Sequence, residues 1–228
     1  MKNITVNNIV LIFIFLIVFN CKKQETKMNV LKLTELKDYK VTETKVNDSV
    51  LKVSGENVNY IIEGKMDLSN HSKQGWWTIK SKENKNWVEI EYSFLDKQFE
   101  NQIKIYKDGV FDSKSSKFYN VSLTNKDYLF TFHFPKSNYN TYNVEFDYIV
   151  SDTIQKKKIR EGSLKLKKNG EYYSCPIPAN KNENIIGIVT RFSNFKQKDS
   201  VLLAVDRMFI KPLNKNTSTE VVKLFNPK

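Results

Sequence analysis

Hydrophobic and polar positions alternate along most of this chain, and that alternation predicts β-strands with one buried face. The clearest examples are the segments 128–134 and 142–150, in which every second residue is aromatic or β-branched. Short polar stretches containing Asn, Asp, Gly or Lys separate such segments, which is typical of antiparallel strands joined by turns. The sequence therefore predicts an all-β fold.

The second half of the chain, 124–228, contains the strongest strand signals. Six strands are predicted there, over residues 128–134, 142–150, 158–167, 172–175, 185–192 and 200–210. Asn169-Gly170 is a favoured hairpin turn. Six strands of this length and spacing indicate an antiparallel β-sandwich of immunoglobulin-like size. The Cys…Trp…Cys pattern of antibody domains is absent, since no Trp follows Trp87.

An earlier unit, 47–123, consists of shorter aromatic-rich strands that read as successive hairpins. Its predicted strands cover 50–53, 58–63, 76–80, 87–92 and 99–106. Aromatic positions recur at spacings of 16, 16 and 14 residues, from Tyr60 to Trp76, Tyr92 and Tyr106.

With its Gly75-Trp76-Trp77 and Tyr106-Lys107-Asp108-Gly109 landmarks, the stretch 58–120 resembles degenerate MORN-type repeats of the variant found in bacterial exported proteins. The resemblance implies an elongated sheet of stacked hairpins. Related repeats occur beside secreted bacterial toxins, so the resemblance also implies, as one alternative, an immunity lipoprotein.

The N-terminus carries an early lysine, Lys2, and an unbroken apolar run over residues 9–19. As a helix this run would rise only about 16 Å, which is too short for a bilayer core of ~30 Å. Residues 1–20 therefore read as a secretory signal peptide. Cys21 follows at once, and the arrangement resembles a bacterial lipoprotein signal, in which the cysteine is lipidated and cleavage occurs before it.

That resemblance implies an exported protein held by acyl chains such as palmitate on a bacterial membrane, at its periplasmic or cell-surface side. The alternative is an ordinary signal peptide, or an uncleaved anchor, with a chance cysteine at position 21. Residues 21–46 are polar, lack a consistent period, and read as a flexible tether with one short helix near 30–39.

The chain has two cysteines, so an acylated Cys21 would leave Cys175 without a disulfide partner. Cys175 lies at a predicted strand end and is expected to be a small buried residue. The formal charge is +12, but only three of the basic residues are arginines and the lysines are scattered. This distribution favours a solvated lysine surface over a nucleic-acid interface.

No motif of a known metal, nucleotide or catalytic site occurs, and the sequence predicts no cofactor and no metal site. His133 alternates with the phenylalanines of its strand and is expected to face solvent. Glu89 and Glu91 share one strand face, roughly 7 Å apart, and such a pair would suit an inverting glycosidase. The simpler interpretation is a solvated strand face.

Five residues are the candidate ligand contacts: Trp76, Trp77, Trp87, Glu89 and Glu91. Adjacent Trp76 and Trp77 must point to opposite faces, and Trp87 shares the outer face with both carboxylates if Val88 lines the core. The outer rings then either pack on the second β unit or form a platform for a ligand. The predicted function is a non-catalytic binding or scaffold lipoprotein that contacts glycan or protein. The alternatives are an envelope glycan hydrolase and the immunity lipoprotein.

Overall fold

The computed structural model describes residues 30–94, 97–123, 127–152, 154–180, 182–197 and 200–211. The chain divides into two compact units, Met1–Leu33 and Thr34–Lys228. Of the first unit only 30–33 are described, and there Leu33 N donates to Val30 O. The described residues of the second unit form almost entirely antiparallel strands, so the predicted all-β fold is confirmed.

The first part of Thr34–Lys228 is a seven-stranded antiparallel sheet, called here the hairpin sheet. Its strand order follows the chain. Its strands are β1 (Lys40–Asn47), β2 (Val50–Glu56), β3 (Tyr60–Asp67), β4 (Lys73–Ser81), β5 (Trp87–Phe94), β6 (Gln98–Lys107) and β7 (Val110–Phe111). The β6–β7 turn is Asp108-Gly109, with φ of 50° and 82°. Positive φ at both positions is the requirement of a two-residue type I′ hairpin.

Strand β1 corrects one prediction, because the sequence predicts that residues 40–46 belong to the flexible tether. They pair with β2 throughout, from Lys40 opposite Glu56 to Lys45 opposite Leu51. Most of the side chains of β1 are exposed, so neither face of this edge strand carries an apolar stripe. In place of the predicted helix near 30–39 there are two 3₁₀ turns, Lys32–Thr34 and Leu36–Asp38.

One face of the hairpin sheet, its inner face, is buried. It carries Leu51, Val53, Ile62, Met66, Trp77, Ile79, Val88, Ile90 and Tyr92. The segment that precedes β1 helps to cover this face. Tyr92 Oη donates to Thr34 Oγ1 at 3.0 Å, and Lys73 Nζ donates to Thr34 O at 2.5 Å. The same ammonium group lies 5.4 Å from the centroid of the Trp77 ring.

The remaining strands form a sandwich of two four-stranded antiparallel sheets, with orders β11-β10-β14-β15 and β12-β13-β9-β8. Their bounds are β8 (Phe118–Leu123), β9 (Asp127–His133), β10 (Asn140–Asp152), β11 (Lys157–Lys165), β12 (Lys168–Asn169), β13 (Tyr172–Pro178), β14 (Glu183–Gln197) and β15 (Ser200–Ile210). The predicted alternation in 128–134 and 144–150 is confirmed, because its apolar positions line the core between the two sheets. The first alternating position of 142–150, Tyr142, is half-exposed instead.

Strand β8 belongs to the sandwich. It pairs with β9 from Phe118 opposite His133 to Leu123 opposite Tyr128. The predicted unit boundary between residues 123 and 124 thus falls inside the β8–β9 hairpin. A 3₁₀ turn at Ser113–Ser115 connects β7 to β8.

Candidate functional site

The two adjacent tryptophans of β4 lie on opposite faces of the hairpin sheet, as the alternation predicted. Trp77 is fully buried on the inner face, where its Nε1 donates to Lys65 O at 3.0 Å. Its ring makes an edge contact with Tyr92, with centroids 6.3 Å apart. Trp77 is therefore a core residue, and its inclusion among the candidate ligand contacts is wrong.

Trp76 lies on the outer face and is 40% exposed. Lys104 Nζ, from β6, lies 4.8 Å from the centroid of its ring, a distance typical of a cation–π contact. Trp76 sits in an irregular part of β4, because three residues of β4 oppose the single Gly64 of β3. Such a bulge bends the strand and redirects its side chains.

Trp87 lies on the same outer face, half-buried, at the start of β5. Its ring stacks on that of Tyr106, which is directly opposite on β6, with centroids 4.2 Å apart and planes 12° apart. Tyr106 Oη in turn donates to Glu89 Oε2 at 3.4 Å. Burial and the neighbouring Glu89 carboxylate raise the pKa of Tyr106, so the phenol stays protonated when it donates.

The register places the polar groups of the outer face between these aromatic rings. Trp76 on β4 is opposite Glu91 on β5. Trp87 lies four residues before Glu91 on β5, which corresponds to roughly 13 Å along the sheet. Glu89 lies between, with Thr78 opposite it on one side and Lys104 opposite it on the other. The outer face thus presents two aromatic surfaces separated by a carboxylate, a hydroxyl and an ammonium group.

Glu91 does not belong to this exposed set, which corrects two expectations. It is only 6% exposed, so it is neither a solvated residue nor accessible to a ligand. Asn101 Nδ2 and Gln102 Nε2 donate to its Oε2 at 2.8 and 2.9 Å. Lys211 Nζ donates to its Oε1 at 2.8 Å. Hydrogen bonds thus engage both oxygens of this carboxylate.

The partners of Glu91 connect the hairpin sheet to the sandwich. Gln102 Oε1 accepts from Tyr119 N at 3.1 Å, and Tyr119 Oη accepts from Lys211 N at 3.3 Å. Burial raises the pKa of Tyr119 to about 12, with the Glu91 charge acting in the same direction. Glu91 is separated from Lys211 by 120 residues, and no short-range pattern in the sequence signals their contact.

A chain of aromatic contacts continues from Tyr106 into the sandwich. Tyr106 contacts Phe111 at 5.3 Å, and Phe111 contacts Phe118 at 5.1 Å between centroids. Phe118 stacks on His133 at 5.1 Å.

The expectation that His133 faces solvent is wrong. Its ring does point away from the phenylalanine core, but the residue is only 3% exposed. Because a carbonyl only accepts, His133 Nδ1 donates to Ser116 O at 2.8 Å.

Cys175 is free and buried in the sandwich core, as predicted. Burial raises the pKa of its thiol to about 12, which keeps it protonated and unreactive at neutral pH. Within the described ranges, no group of three His, Cys, Asp or Glu side chains is arranged to hold a metal ion.

The predicted lipidation site, Cys21, lies outside the described residues, as do the predicted signal peptide and most of the tether. No helix in the described part of the chain is both long and apolar enough to cross a membrane. Comparison with protein-family models, with curated proteins and with solved structures found no match to this chain. The MORN-like resemblance therefore stays a prediction.

Proposed function

We propose that this protein is an exported lipoprotein, anchored through Cys21, that binds glycan in the bacterial cell envelope without catalysing a reaction. One observation carries the proposal. Trp76 and the Trp87–Tyr106 stack share the outer face of the hairpin sheet, with Glu89 and Lys104 between them.

The chemistry of this face suits a sugar chain. Aromatic rings bind the apolar C–H faces of sugars, and charged side chains beside them hydrogen-bond the hydroxyls. Glu89 supplies acceptors and Lys104 supplies donors. The separation of roughly 13 Å between the two aromatic positions exceeds one sugar ring, so the ligand is an oligosaccharide. A protein partner would favour a contiguous apolar patch, whereas here charged groups interrupt the aromatic surface.

The hydrolase alternative receives no support from the geometry of its two carboxylates. An inverting pair needs one protonated acid and one base, both in reach of the sugar. Glu91 is buried with both oxygens engaged by amides and an ammonium group, so substrate cannot reach it. The immunity-lipoprotein alternative rests on the MORN-like resemblance alone.

The test measures retention of the full chain, in neutral detergent, on purified and protease-treated envelope glycan. We expect Trp76→Ala to abolish retention with little change in thermal stability, because the ring is exposed. Phe94→Ala is the matched control. Phe94 is also exposed, but it follows Tyr92 by two residues on β5, so it belongs to the inner face and not to the outer face. Equal retention of Trp76→Ala and wild type would reject the outer face as the site. Retention only on untreated envelope would make the ligand a protein.

The anchor is tested separately through Cys21→Ser and detergent phase partitioning. Because acyl chains drive a protein into the detergent phase, we expect the wild type to partition there and the variant to lose a large part of that partitioning. Identical partitioning of both forms would contradict lipidation at Cys21. The glycan assay is independent of this result, since it uses soluble detergent complexes.

A further inference from the structure

A second candidate site lies in the sandwich, away from the tryptophans of the hairpin sheet. A cavity of about 300 Å³ is lined by the segment that follows β9, by the β12–β13 hairpin, by Arg191 of β14 and by Lys114 of the 3₁₀ turn. Neither Trp76 nor Trp87 contributes to its wall. The cavity is therefore separate from the outer face of the hairpin sheet.

The wall of the cavity is strongly cationic. Lys114, Lys136, Lys168 and Arg191 line it, and Glu171 is the one carboxylate among the lining residues. All three lysines are exposed. Among the residues that the structure describes, their ammonium groups form no ion pair. Like charges gathered at one concavity repel one another, and an anion placed among them relieves that repulsion.

Arg191 is held rigidly at this wall. Its Nη1 donates to Pro135 O at 2.9 Å, and its Nη2 donates to Asp206 Oδ2 at 3.0 Å. The guanidinium carbon lies 4.8 Å from the centroid of the Phe134 ring. A guanidinium has five N–H donors, so these two bonds orient the group and leave donors for a ligand.

Aromatic side chains form the rest of the wall. Phe134 and Tyr173 meet edge to face with centroids 6.3 Å apart. Tyr139 is fixed by stacking on Phe195 at 4.5 Å. Burial raises the pKa of Tyr173, so its hydroxyl remains a neutral hydrogen-bonding group at physiological pH. These rings offer a surface for a small organic body beside the cationic groups.

We propose that this cavity binds a small phosphate monoester, with the phosphate among the lysines and Arg191 and the organic body against Tyr139 and Tyr173. A phosphate monoester carries about −1.5 to −2 at neutral pH, which matches several cations better than a monocarboxylate does. A volume of about 300 Å³ lies at the lower end of the range for ligand pockets, so the ligand is small. The same group occurs on soluble metabolites and on lipid headgroups.

Isothermal titration calorimetry on the full chain in neutral detergent tests the proposal. The probes are glycerol 3-phosphate, a soluble short-chain phosphatidic acid and, as ligands without a phosphate monoester, glycerol and the matching phosphatidylcholine. We expect saturable binding of at least one of the two monoesters, and no binding of glycerol or of the phosphatidylcholine. Tighter binding of phosphatidic acid would indicate a lipid headgroup, and tighter binding of glycerol 3-phosphate a soluble ligand.

Two double variants are compared. The cavity variant carries Lys136→Gln and Lys168→Gln, and the control carries Lys52→Gln and Lys157→Gln, an equal change of charge outside the cavity. All four lysines are exposed, so both proteins should fold. The cavity variant should bind about tenfold more weakly or worse, because each lost charge-assisted hydrogen bond is worth more than a neutral one. The control should bind as the wild type does. Absence of saturable binding to both monoesters, or an equal loss in the control, would overturn the proposal.

Discussion

The side chain of Asn101 hydrogen-bonds the main chain of Phe209 in both directions. Asn101 Nδ2 donates to Phe209 O at 2.8 Å, and Phe209 N donates to Asn101 Oδ1 at 2.6 Å. Asn101 is fully buried, and its amide also contacts Glu91. The amide thus imitates a strand partner for β15. It joins the sandwich to the hairpin sheet through polar contacts, in addition to the aromatic contact between Phe111 and Phe118.

The first prediction concerns this amide. Asn101→Ala removes both hydrogen bonds between this amide and the main chain of Phe209, and the loss of one buried hydrogen-bond partner costs about 1–3 kcal/mol. We expect the free energy of unfolding in urea to fall by about 2–4 kcal/mol. Asn120→Ala, at an exposed position of β8, should change it by less than ~0.5 kcal/mol. A loss no larger than that of the control would show that the contact with Phe209 contributes nothing.

Strand alternation was enough to predict the location of most elements and which face each side chain takes. In β5 the pattern assigned Val88 and Ile90 to the core, and both are buried. Alternation failed to predict β1, where every side chain except that of Val41 is exposed. A polar edge strand has no alternating apolar positions. It forms because its backbone pairs with the neighbouring strand, and the pattern of its own residues does not show that pairing.

The candidate site was harder to predict, for a different reason. Alternation correctly assigned Glu91 and His133 to outer faces, but it gives no information on what covers an outer face. Lys211 covers the first, and the aromatic contacts of Phe118 cover the second. Lys211 directly follows β15 and Phe118 belongs to β8, so neither covering group lies on the strand that it covers. Of the five candidate ligand contacts, Trp76, Trp87 and Glu89 keep part of their surface accessible on the outer face.

The second prediction concerns Gly64, which lies under the Trp77 ring. A Cβ at position 64 would lie 2.1 Å from Trp77 Cδ2, closer than atoms can approach, so the indole or the backbone must move. We expect Gly64→Ala to lower the midpoint of thermal unfolding strongly, by an amount corresponding to about 3 kcal/mol.

Gly75→Ala is the comparison for that variant. Gly75 has a φ of +64° but open space around its Cβ position, so only backbone strain of about 1–2 kcal/mol opposes the substitution. In a Trp77→Leu background Gly64→Ala should cost less than in the wild type, because the ring it meets is gone. An equal cost in both backgrounds would show that Trp77 does not require the glycine.

The third prediction is a loss of stability at alkaline pH. Burial raises the pKa of Tyr92 to about 12 and that of Cys175 to about 12. Below the unfolded pKa values, about 10 for Tyr and 8.5 for Cys, both groups are protonated in both states and the stability is fully present. As pH rises toward 12 the unfolded chain loses these protons first, so the free energy of unfolding decreases by up to about 1.4 kcal/mol per pH unit and group.

Urea unfolding at a series of pH values, from neutral to the limit of reversibility, measures this decline. Tyr92→Phe should be destabilised at neutral pH through loss of its bond to Thr34, yet lose less further stability in alkali than the wild type. Tyr142→Phe, at a half-exposed position, should follow the wild-type curve. An alkaline decline that is the same in Tyr92→Phe and wild type would remove Tyr92 as its cause.

The last prediction separates packing from binding at Trp87. Its ring is half-buried and stacks on Tyr106, whose contacts with Phe111 lead into the sandwich. A fully buried tryptophan replaced by alanine costs about 3–5 kcal/mol, so the half-buried ring should cost roughly 1–2 kcal/mol. We expect Trp87→Ala to show that modest loss in urea unfolding and to lose retention on envelope glycan. Trp87→Phe keeps a ring that can stack on Tyr106 and should recover both properties in part. A loss of 3–5 kcal/mol (the fully buried range) with retention intact would make Trp87 a packing residue, because a ring that binds sugar must keep one face open to solvent.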